Sequence, residues 1–306
     1  MAGNAKLLPT ALGQRPSLTF QRAFPKIDVG ALDPARILAD LLWDWRSDTE
    51  SVILSAENLR PVHARQMRDL LPASTPCVVV LFVRRQDRWF DSYFNQMIKT
   101  NEIHEEPCAF LSRLLAGDDE RLCRPNWFEH YQSWHAAFGD CQVAFYDEVA
   151  SDVFGAFFKA AGLPAVSDLI DIDRAQVSLN VYELAYFLEL KAPVEHADFL
   201  RRKSAADKAS RRVGIGDNRS VLSELDLSRL RKTFEESNRR LIAALGRTET
   251  PPPLQLDKTR NSNSYASLPE LYASSAYMSY RKSADAIYAR GKRRDLLRSL
   301  FKRASK

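Results

Sequence analysis

The stretch that most constrains the fold is "CVVVLFV", residues 77–83, which holds four valines and no polar residue other than its cysteine. An unbroken apolar run of this composition is typical of a strand that is covered on both faces. Strands of this kind occur in parallel sheets, because the helices that connect parallel strands cover both sides of the sheet. The run therefore predicts a buried strand in an α/β fold.

Two further apolar runs predict strands, "SVILS" at 51–55 and "CQVAFY" at 141–146. Helical periodicity occupies the intervening and following segments, at about 34–45, 60–71, 88–100, 125–137 and 148–161. Strands that alternate with helices in this way predict a mainly parallel sheet with helices packed against it.

The second half of the chain has a different pattern. Beyond about residue 180 it reads as helices, interrupted by the polar segment 201–220, which we predict to be a mobile loop. The Pro- and Asn-rich stretch 247–265 is typical of a linker. We therefore predict an α/β domain over 1–246 and a second part over 247–306, in which the linker leads to a basic tail that is either an amphipathic helix or disordered.

The net charge of +5 is a property of the tail. Residues 281–306 contain ten Lys/Arg and two Asp/Glu, a charge of +8, so residues 1–280 sum to −3. The body of the chain thus has no sign of a nucleic-acid surface, and we expect no nucleic-acid partner. For the tail three readings stay open: a solvated arm, peripheral contact with an anionic membrane, or attraction of an anionic polysaccharide.

Several classes of protein are disfavoured by simpler features. Four widely spaced cysteines form no CxxC pair, so we expect no zinc site and no other metal site. No window approaches 18 consecutive apolar residues, the length that a membrane-spanning helix needs. The N-terminal residues lack the apolar core of a secretory signal. We therefore expect a cytoplasmic protein, with membrane-peripheral attachment through the tail as an option.

Two adjacent cations, Arg84 and Arg85, stand where the central strand ends and the next helix begins. Ligands of parallel α/β sheets bind at this edge, where the helix N-terminus contributes amide donors and partial positive charge. Arginine binds phosphate in a bidentate manner, and Ser92, one turn into the helix, adds a hydroxyl. The pattern is compatible with a phosphate site, although arginines at strand ends are more often simply solvated.

The segment "FVRRQDRWFDSYF" (82–94) resembles the 3′-phosphate-binding segment of sulfotransferases that use 3′-phosphoadenosine 5′-phosphosulfate (PAPS). Other segments resemble further blocks of that family in the same order, namely "VILSAENL", "HYQSWHAAFGDCQVAFYDEV" and "LSRLRKTFEESNRRLIAAL". The resemblance covers about residues 35–245, and "RRQ" in place of "RNP" resembles the bacterial branch. It implies a P-loop-NTPase-like three-layer fold.

The resemblance also implies a reaction and a set of site residues. The chain would be a transferase that moves a sulfuryl group from PAPS to a hydroxyl or amine of a glycan or lipid-linked saccharide. Arg84 and Ser92 have the family's spacing for the 3′-phosphate, and Arg85 is the second choice. Glu57 is the candidate base, although it could equally cap a helix. Ser55 and His104 are candidates for binding the acceptor.

One part of the family pattern has no counterpart in this sequence. The family's loop of the form "pKTGTTsL" binds the 5′-phosphosulfate after the first, central strand, and it requires glycines that no segment before residue 50 supplies in that setting. We therefore expect that the first strand is missing, as in a truncated reading frame or a remnant.

Two alternatives stay open beside the sulfotransferase. One is a transferase or kinase that uses another nucleotide donor, and the other is a non-catalytic family member that binds a partner or a membrane.

Overall fold

The computed structural model describes residues 12, 31–43, 51–55, 59–117, 119, 122–165, 178–191, 194–213, 220–248, 254 and 267–304. The elements in these residues are α1 Pro34–Trp43, α2 His63–Asp69, β1 Val79–Val83, α3 Gln86–Lys99, α4 Pro107–Ala116, α5 Trp127–Phe138, β2 Cys141–Phe145, α6 Tyr146–Val149, α7 Val153–Ala160, α8 Val181–Leu188, α9 His196–Val213, α10 Glu224–Ala244, α11 Leu268–Ala273 and α12 Ser275–Ala304. The protein is thus a mixed helix and strand structure.

The chain divides into two units that alternate along the sequence. Unit 1 comprises Met1–Gln86, Arg113–Asp171 and Arg231–Gln255. Unit 2 comprises Asp87–Ser112, Ile172–Leu230 and Leu256–Lys306.

The sheet of unit 1 pairs β1 with β2 in parallel. The register runs from Val79 opposite Cys141 to Val83 opposite Phe145. The predicted strands at 77–83 and 141–146 are therefore confirmed, as is their parallel direction. Parallel strands need a crossover connection, and here it contains helices, among them α5.

The core of unit 1 lies where α2 and α5 pack together and α5 contacts both strands. Its buried members are apolar side chains from these elements and from the N-terminal part of the chain: Leu12, Leu38, Ala64, Met67, Trp134 and Cys141. On the other side, α7 packs against β2. The short sheet is thus in contact with helices. Val83 is buried but the other four residues of β1 are only partly buried, so the expected burial of this strand is observed only in part.

Helix α5 has clear signals at both ends. The side chain of Asn126 accepts a hydrogen bond from the amide of Glu129 at its N-terminus, 3.3 Å long. At its C-terminus Gly139 has φ 78° and donates its amide to the carbonyl of His135. A left-handed residue is favourable there only as glycine, so the "FGD" turn ends the helix just before β2 begins.

The core of unit 2 contains an aromatic group on α3 and α4. Phe90, Phe94 and Phe110 are completely buried, and their ring centroids lie 5.4–5.7 Å apart. Helix α8 begins with a capping box in which Asn180 accepts from the amide of Glu183 and the Glu183 carboxylate accepts from the amide of Asn180.

The strand predicted at 51–55 is wrong. These residues belong to no helix or strand, and the side chains of Ile53 and Leu54 are 51% and 37% exposed. A strand is stable only when a neighbouring strand forms hydrogen bonds with its amide and carbonyl groups. In the described residues β1 and β2 pair with each other rather than with this segment. An apolar run is therefore insufficient by itself to make a strand.

The mobile loop predicted at 201–220 is also wrong for most of its length. Residues 201–213 are part of the 18-residue helix α9, which packs along α12. Phe199, Ala205, Ala206 and Ala209 form its buried face. Alanine buries little area, so this face has a weak hydrophobic signal among six cations, and the segment reads as polar.

Four further predictions concern single segments of the chain. The segment 101–122, which we expect to contribute an acceptor loop, contains helix α4. The linker at 247–265 falls almost wholly outside the described residues. The basic tail is helical as far as Ala304 in α12. The domain division at residue 246 stays a prediction. None of the helices that the structure describes is both long and apolar enough to cross a membrane.

The aromatic group gives a direct test of the unit 2 core. Phe94→Ala should lower the free energy of unfolding by about 3–5 kcal/mol, because it leaves a cavity among rings that have no access to solvent. Leu225→Ala, at a side chain that is 72% exposed on α10, is the matched control and should change it by less than about 0.5 kcal/mol. Chemical denaturation measures both, and equal effects would contradict this packing.

Candidate functional site

The carboxyl ends of β1 and β2 bring together residues that are 62 positions apart in sequence. Because Val83 pairs with Phe145, the chain leaves both strands at the same edge, and Arg84 emerges beside Tyr146. The guanidinium of Arg84 lies 4.9 Å from the centre of the Tyr146 ring. Its Nε is 3.8 Å from Oδ1 of Asp147. A cation, an aromatic ring and a carboxylate therefore share this edge of the sheet.

The backbone at this edge is held by two side chains. The indole nitrogen of Trp127 donates to the carbonyl oxygen of Arg84 at 2.7 Å. The amide of Arg85 donates to Oδ2 of Asp147 at 3.4 Å. The carboxylate of Asp147 thus contacts the side chain of Arg84 and the backbone amide of Arg85.

The side chain of Arg84 is only partly satisfied. About a third of it is exposed, at 31%. Its Nε is buried and makes no hydrogen bond within the part of the chain that the structure describes. A buried donor without an acceptor is unfavourable, so an added acceptor at this position would be stabilising. Chemically, the arrangement can receive an anion.

The start of α3 is held by a buried pair of side-chain amides that were not predicted from the sequence. Gln86 is fully buried, and its Nε2 donates to Oδ1 of Asn238 at 2.7 Å, while Nδ2 of Asn238 donates back at 3.0 Å. The same Nε2 donates to the carbonyl of Pro125. The sequence signals for this pair are the glutamine of "RRQ" and the "SN" of 237–238.

Of the other predicted site residues, Ser55 belongs to unit 1, and Ser92 and His104 belong to unit 2. Ser55 is exposed in the segment that forms no strand. Glu57 lies outside the described residues. Ser92 is exposed on α3, in unit 2. The structure therefore brings together Arg84, Arg85 and Asp147, of which Asp147 was not predicted.

His104, also in unit 2, has an unusual environment. Both of its ring nitrogens are buried, and neither has a hydrogen-bond partner among the described residues. Burial lowers the pKa of this imidazole, so it is neutral near pH 7. A neutral imidazole can donate at one nitrogen and accept at the other, which leaves His104 able to bind a polar group.

Unit 1 has a concave region along β2. A cavity of about 500 Å³ is lined by four consecutive residues, Gln142 to Phe145, so it follows the edge of this strand rather than one face. Arg247 lies over the Phe145 ring at 4.6 Å and donates to both carboxylate oxygens of Glu148, at 3.1 and 3.2 Å. Asp140 and Lys159 also line it. The two cations and two acids balance, so this cavity has no preference for an anion.

Three buried groups of unit 1, Cys123, Cys141 and His130, have pKa values that make them poor nucleophiles or bases. Burial raises the pKa of the Cys141 thiol to about 12, and it also raises the pKa of Cys123. Burial lowers the pKa of His130 to about 4. His130 Nε2 lies 3.3 Å from the carbonyl of Arg124, to which it can donate. These groups are neutral near pH 7 and have structural roles. In the described residues, no three His, Cys, Asp or Glu side chains come together as metal ligands.

Comparison of the chain with protein-family models, with curated proteins and with solved structures finds no match. Function is therefore inferred from the residues at the carboxyl ends of β1 and β2.

Burial of His130 predicts a dependence of stability on pH. Its folded pKa lies below the ordinary 6.5, so its contribution is fully present above pH 6.5 and is lost as pH falls toward 4. At pH 5 the loss should be on the order of 1–2 kcal/mol. His130→Gln, which can still donate to the Arg124 carbonyl, should reduce the fall in thermal unfolding temperature between pH 7 and pH 5.

The control for this experiment is His135→Gln, at an exposed position of the same helix. Burial also lowers the pKa of His63 and of His104, so part of the pH dependence should persist in both variants. The same pH dependence in His130→Gln as in the unchanged protein would contradict the prediction.

Proposed function

We propose that the chain binds a 3′-phosphoadenosine nucleotide through Arg84 and acts as a PAPS-dependent sulfotransferase on a glycan or similar acceptor. The observation that carries the proposal is the position of Arg84. It stands at the carboxyl end of a parallel strand, immediately before a helix, with a buried Nε that has no hydrogen-bond acceptor in the described residues. Parallel sheets bind their ligands at this edge.

The residues at this edge are chemically suited to a phosphate. The guanidinium of Arg84 offers planar donors and a permanent charge, and the amide nitrogens at the start of α3 add partial positive charge. Ser92 lies on the same helix and is exposed, so its hydroxyl is accessible. The resemblance of "FVRRQDRWFDSYF" to the family's 3′-phosphate segment supports the same assignment. The P-loop-NTPase-like three-layer fold is part of this proposal.

The proposed reaction depends on positioning and on charge. PAPS supplies a sulfuryl group that is activated by its linkage to phosphate. The acceptor oxygen or nitrogen forms the new bond to sulfur, the bond from sulfur to the phosphate oxygen breaks, and 3′-phosphoadenosine 5′-phosphate leaves with that electron pair. Glu57 is proposed to take the proton of the acceptor. Ser55 and His104 are proposed to bind the acceptor.

Asp147 opposes phosphate binding at Arg84. Its carboxylate lies 3.8 Å from the Arg84 Nε and carries the same sign of charge as a phosphate. A bound phosphate must therefore compete with Asp147 for the guanidinium. Since one arginine can bind two acceptors, the competition weakens binding without abolishing it.

The first test is binding of 3′-phosphoadenosine 5′-phosphate followed by thermal shift. The nucleotide should raise the unfolding temperature of the unchanged protein. Arg84→Ala should weaken the affinity by about 10- to 100-fold, because hydrogen bonds to charged groups contribute about 1.5–3 kcal/mol. Arg65→Ala, at a side chain that is 91% exposed in unit 1, is the control and should leave the affinity unchanged.

Two outcomes of this titration would favour the alternatives. Stabilisation by ATP with no response to 3′-phosphoadenosine 5′-phosphate would favour a transferase that uses another nucleotide donor. No response to either nucleotide would favour a non-catalytic protein.

A second test uses the opposing carboxylate. Asp147→Asn removes the competing charge but keeps the side-chain oxygen that accepts from the amide of Arg85. We expect the affinity for 3′-phosphoadenosine 5′-phosphate to rise about two- to fivefold, since a partly exposed ion pair contributes up to about 1 kcal/mol. Asp69→Asn, at an exposed carboxylate of the same unit, is the control. Unchanged or weaker binding in Asp147→Asn would place the phosphate away from Arg84.

A further inference from the structure

Unit 2 concentrates positive charge on two helices that pack along each other, α9 and α12. Helix α9 has six Lys/Arg and two Asp, and α12 has nine Lys/Arg and two Asp. The two helices therefore hold eleven net positive charges, although the whole chain has only five. The charge is a feature of this helix pair rather than of the tail alone.

The four acids of the pair are used inside it or beside it. Asp198 accepts from Nε of Arg202 at 2.9 Å and from the hydroxyl of Tyr288, and this joins α9 to α12. The other three acids also have partners: Asp207 with Arg211, Asp295 with Arg201, and Asp285 with the hydroxyl of Tyr186. The acids thus neutralise neighbours within unit 2. Glu189 also pairs with Arg281 of α12 at 3.0 Å, and the helix pair keeps a large net positive charge.

The solvent-facing side of each helix combines cations with apolar side chains. On α9, Leu200, Ser204, Lys208 and Arg211 recur every three or four residues, and all are exposed. On α12 the same spacing connects exposed residues that begin with an apolar one: Met278, Lys282, Ala286, Ala289 and Arg293. Leu200 is 50% exposed and Met278 is 55% exposed. Each exposed side is therefore basic and partly apolar.

The sequence at the end of α12 continues this combination. The helical backbone reaches Ala304. In "LLRSLFKR", residues 296–303, two leucines are followed at helical spacing by Leu300 and Phe301, with Arg298 between the two apolar pairs and two basic residues after them. A helix that combines basic and apolar side chains in this way is typical of the interface between lipid headgroups and acyl chains.

We propose that the exposed side of the α9–α12 pair docks on the surface of an anionic phospholipid bilayer. Charge complementarity selects a negatively charged partner, since each Lys or Arg near an anionic surface is attracted to it. The exposed Leu200 and Met278 select a bilayer over a soluble polyanion, because aliphatic side chains gain from contact with acyl chains and gain little from a phosphate or sulfate polymer. None of the residues named for this surface belongs to the proposed nucleotide site.

The test is co-sedimentation of the full chain with vesicles. Vesicles with about 30% phosphatidylglycerol should bind the protein, and pure phosphatidylcholine vesicles should not. Replacement of the four cations Arg290, Lys292, Arg293 and Arg294 by serine should weaken binding at least about tenfold. The matched control replaces four exposed cations elsewhere by serine: Arg36, Arg65, Lys232 and Arg239. It has the same net charge and should lose less than about twofold.

A second variant separates a bilayer from a soluble polyanion. Leu200→Ser combined with Met278→Ser leaves the charge unchanged, and it should weaken vesicle binding while leaving binding to heparin or to an oligonucleotide the same. Equal loss in the two four-cation variants would overturn the proposal, as would vesicle binding that is insensitive to Leu200 and Met278.

Circular dichroism establishes that each variant is folded. Stabilisation by 3′-phosphoadenosine 5′-phosphate should persist in all of them, which makes failure of this proposal distinguishable from failure of the nucleotide site.

Discussion

The parallel pairing of β1 with β2 is the constraint on which the candidate site depends. Pairing of Val83 with Phe145 makes both strands end at one level, so the residues that follow them emerge side by side. Each strand is succeeded within three residues by a helix, α3 or α6. Without this register Arg84 would have neither Tyr146 nor Asp147 beside it, since 62 or more residues of chain separate them.

The edge is made rigid by hydrogen bonds that are shielded from water. The amides of Gln86 and Asn238 bind each other at 2.7 and 3.0 Å, and Trp127 donates to the carbonyl of Arg84. Unmade hydrogen bonds are costly in a buried position, so these partners restrict the backbone to one conformation. The backbone of Arg84 is therefore held by its hydrogen bond from Trp127. The guanidinium of Arg84 has Asp147 as its partner of opposite charge.

The sequence predicts those parts of the fold that depend on local pattern. The apolar runs at 77–83 and 141–146 and the periodicity around α3 and α5 predict β1, β2 and these two helices, because burial of an apolar face dominates at these positions. Helix α4 lies in a segment that was predicted to be a loop. The segment 51–55 has the same local pattern but no ladder in the described residues, and pairing is decided by residues far away in sequence. Helix α9 was missed for the opposite reason, since its buried face consists largely of alanines and is outnumbered by cations.

The same distinction applies to the candidate site. Arg84 is predictable because its position at a strand end is a local property. Its contact with Asp147 is not, because it requires the register of two strands and the direction in which each chain leaves the sheet. The charge of Asp147 matters as much as that of Arg84, because the pair sets the field that a ligand meets at this edge.

The two proposed surfaces differ in how their charge acts. At the end of β1 a single guanidinium is opposed by a carboxylate at 3.8 Å, so the field of this pair decreases quickly with distance and recognition requires close contact. On the α9–α12 pair the acids form hydrogen bonds or ion pairs with neighbouring side chains. The remaining cations act together over a distance of about 8 Å, which is the screening length at physiological ionic strength. Unit 1 is thus suited to bind a small anion by geometry, and unit 2 to approach an extended anionic surface by its net charge.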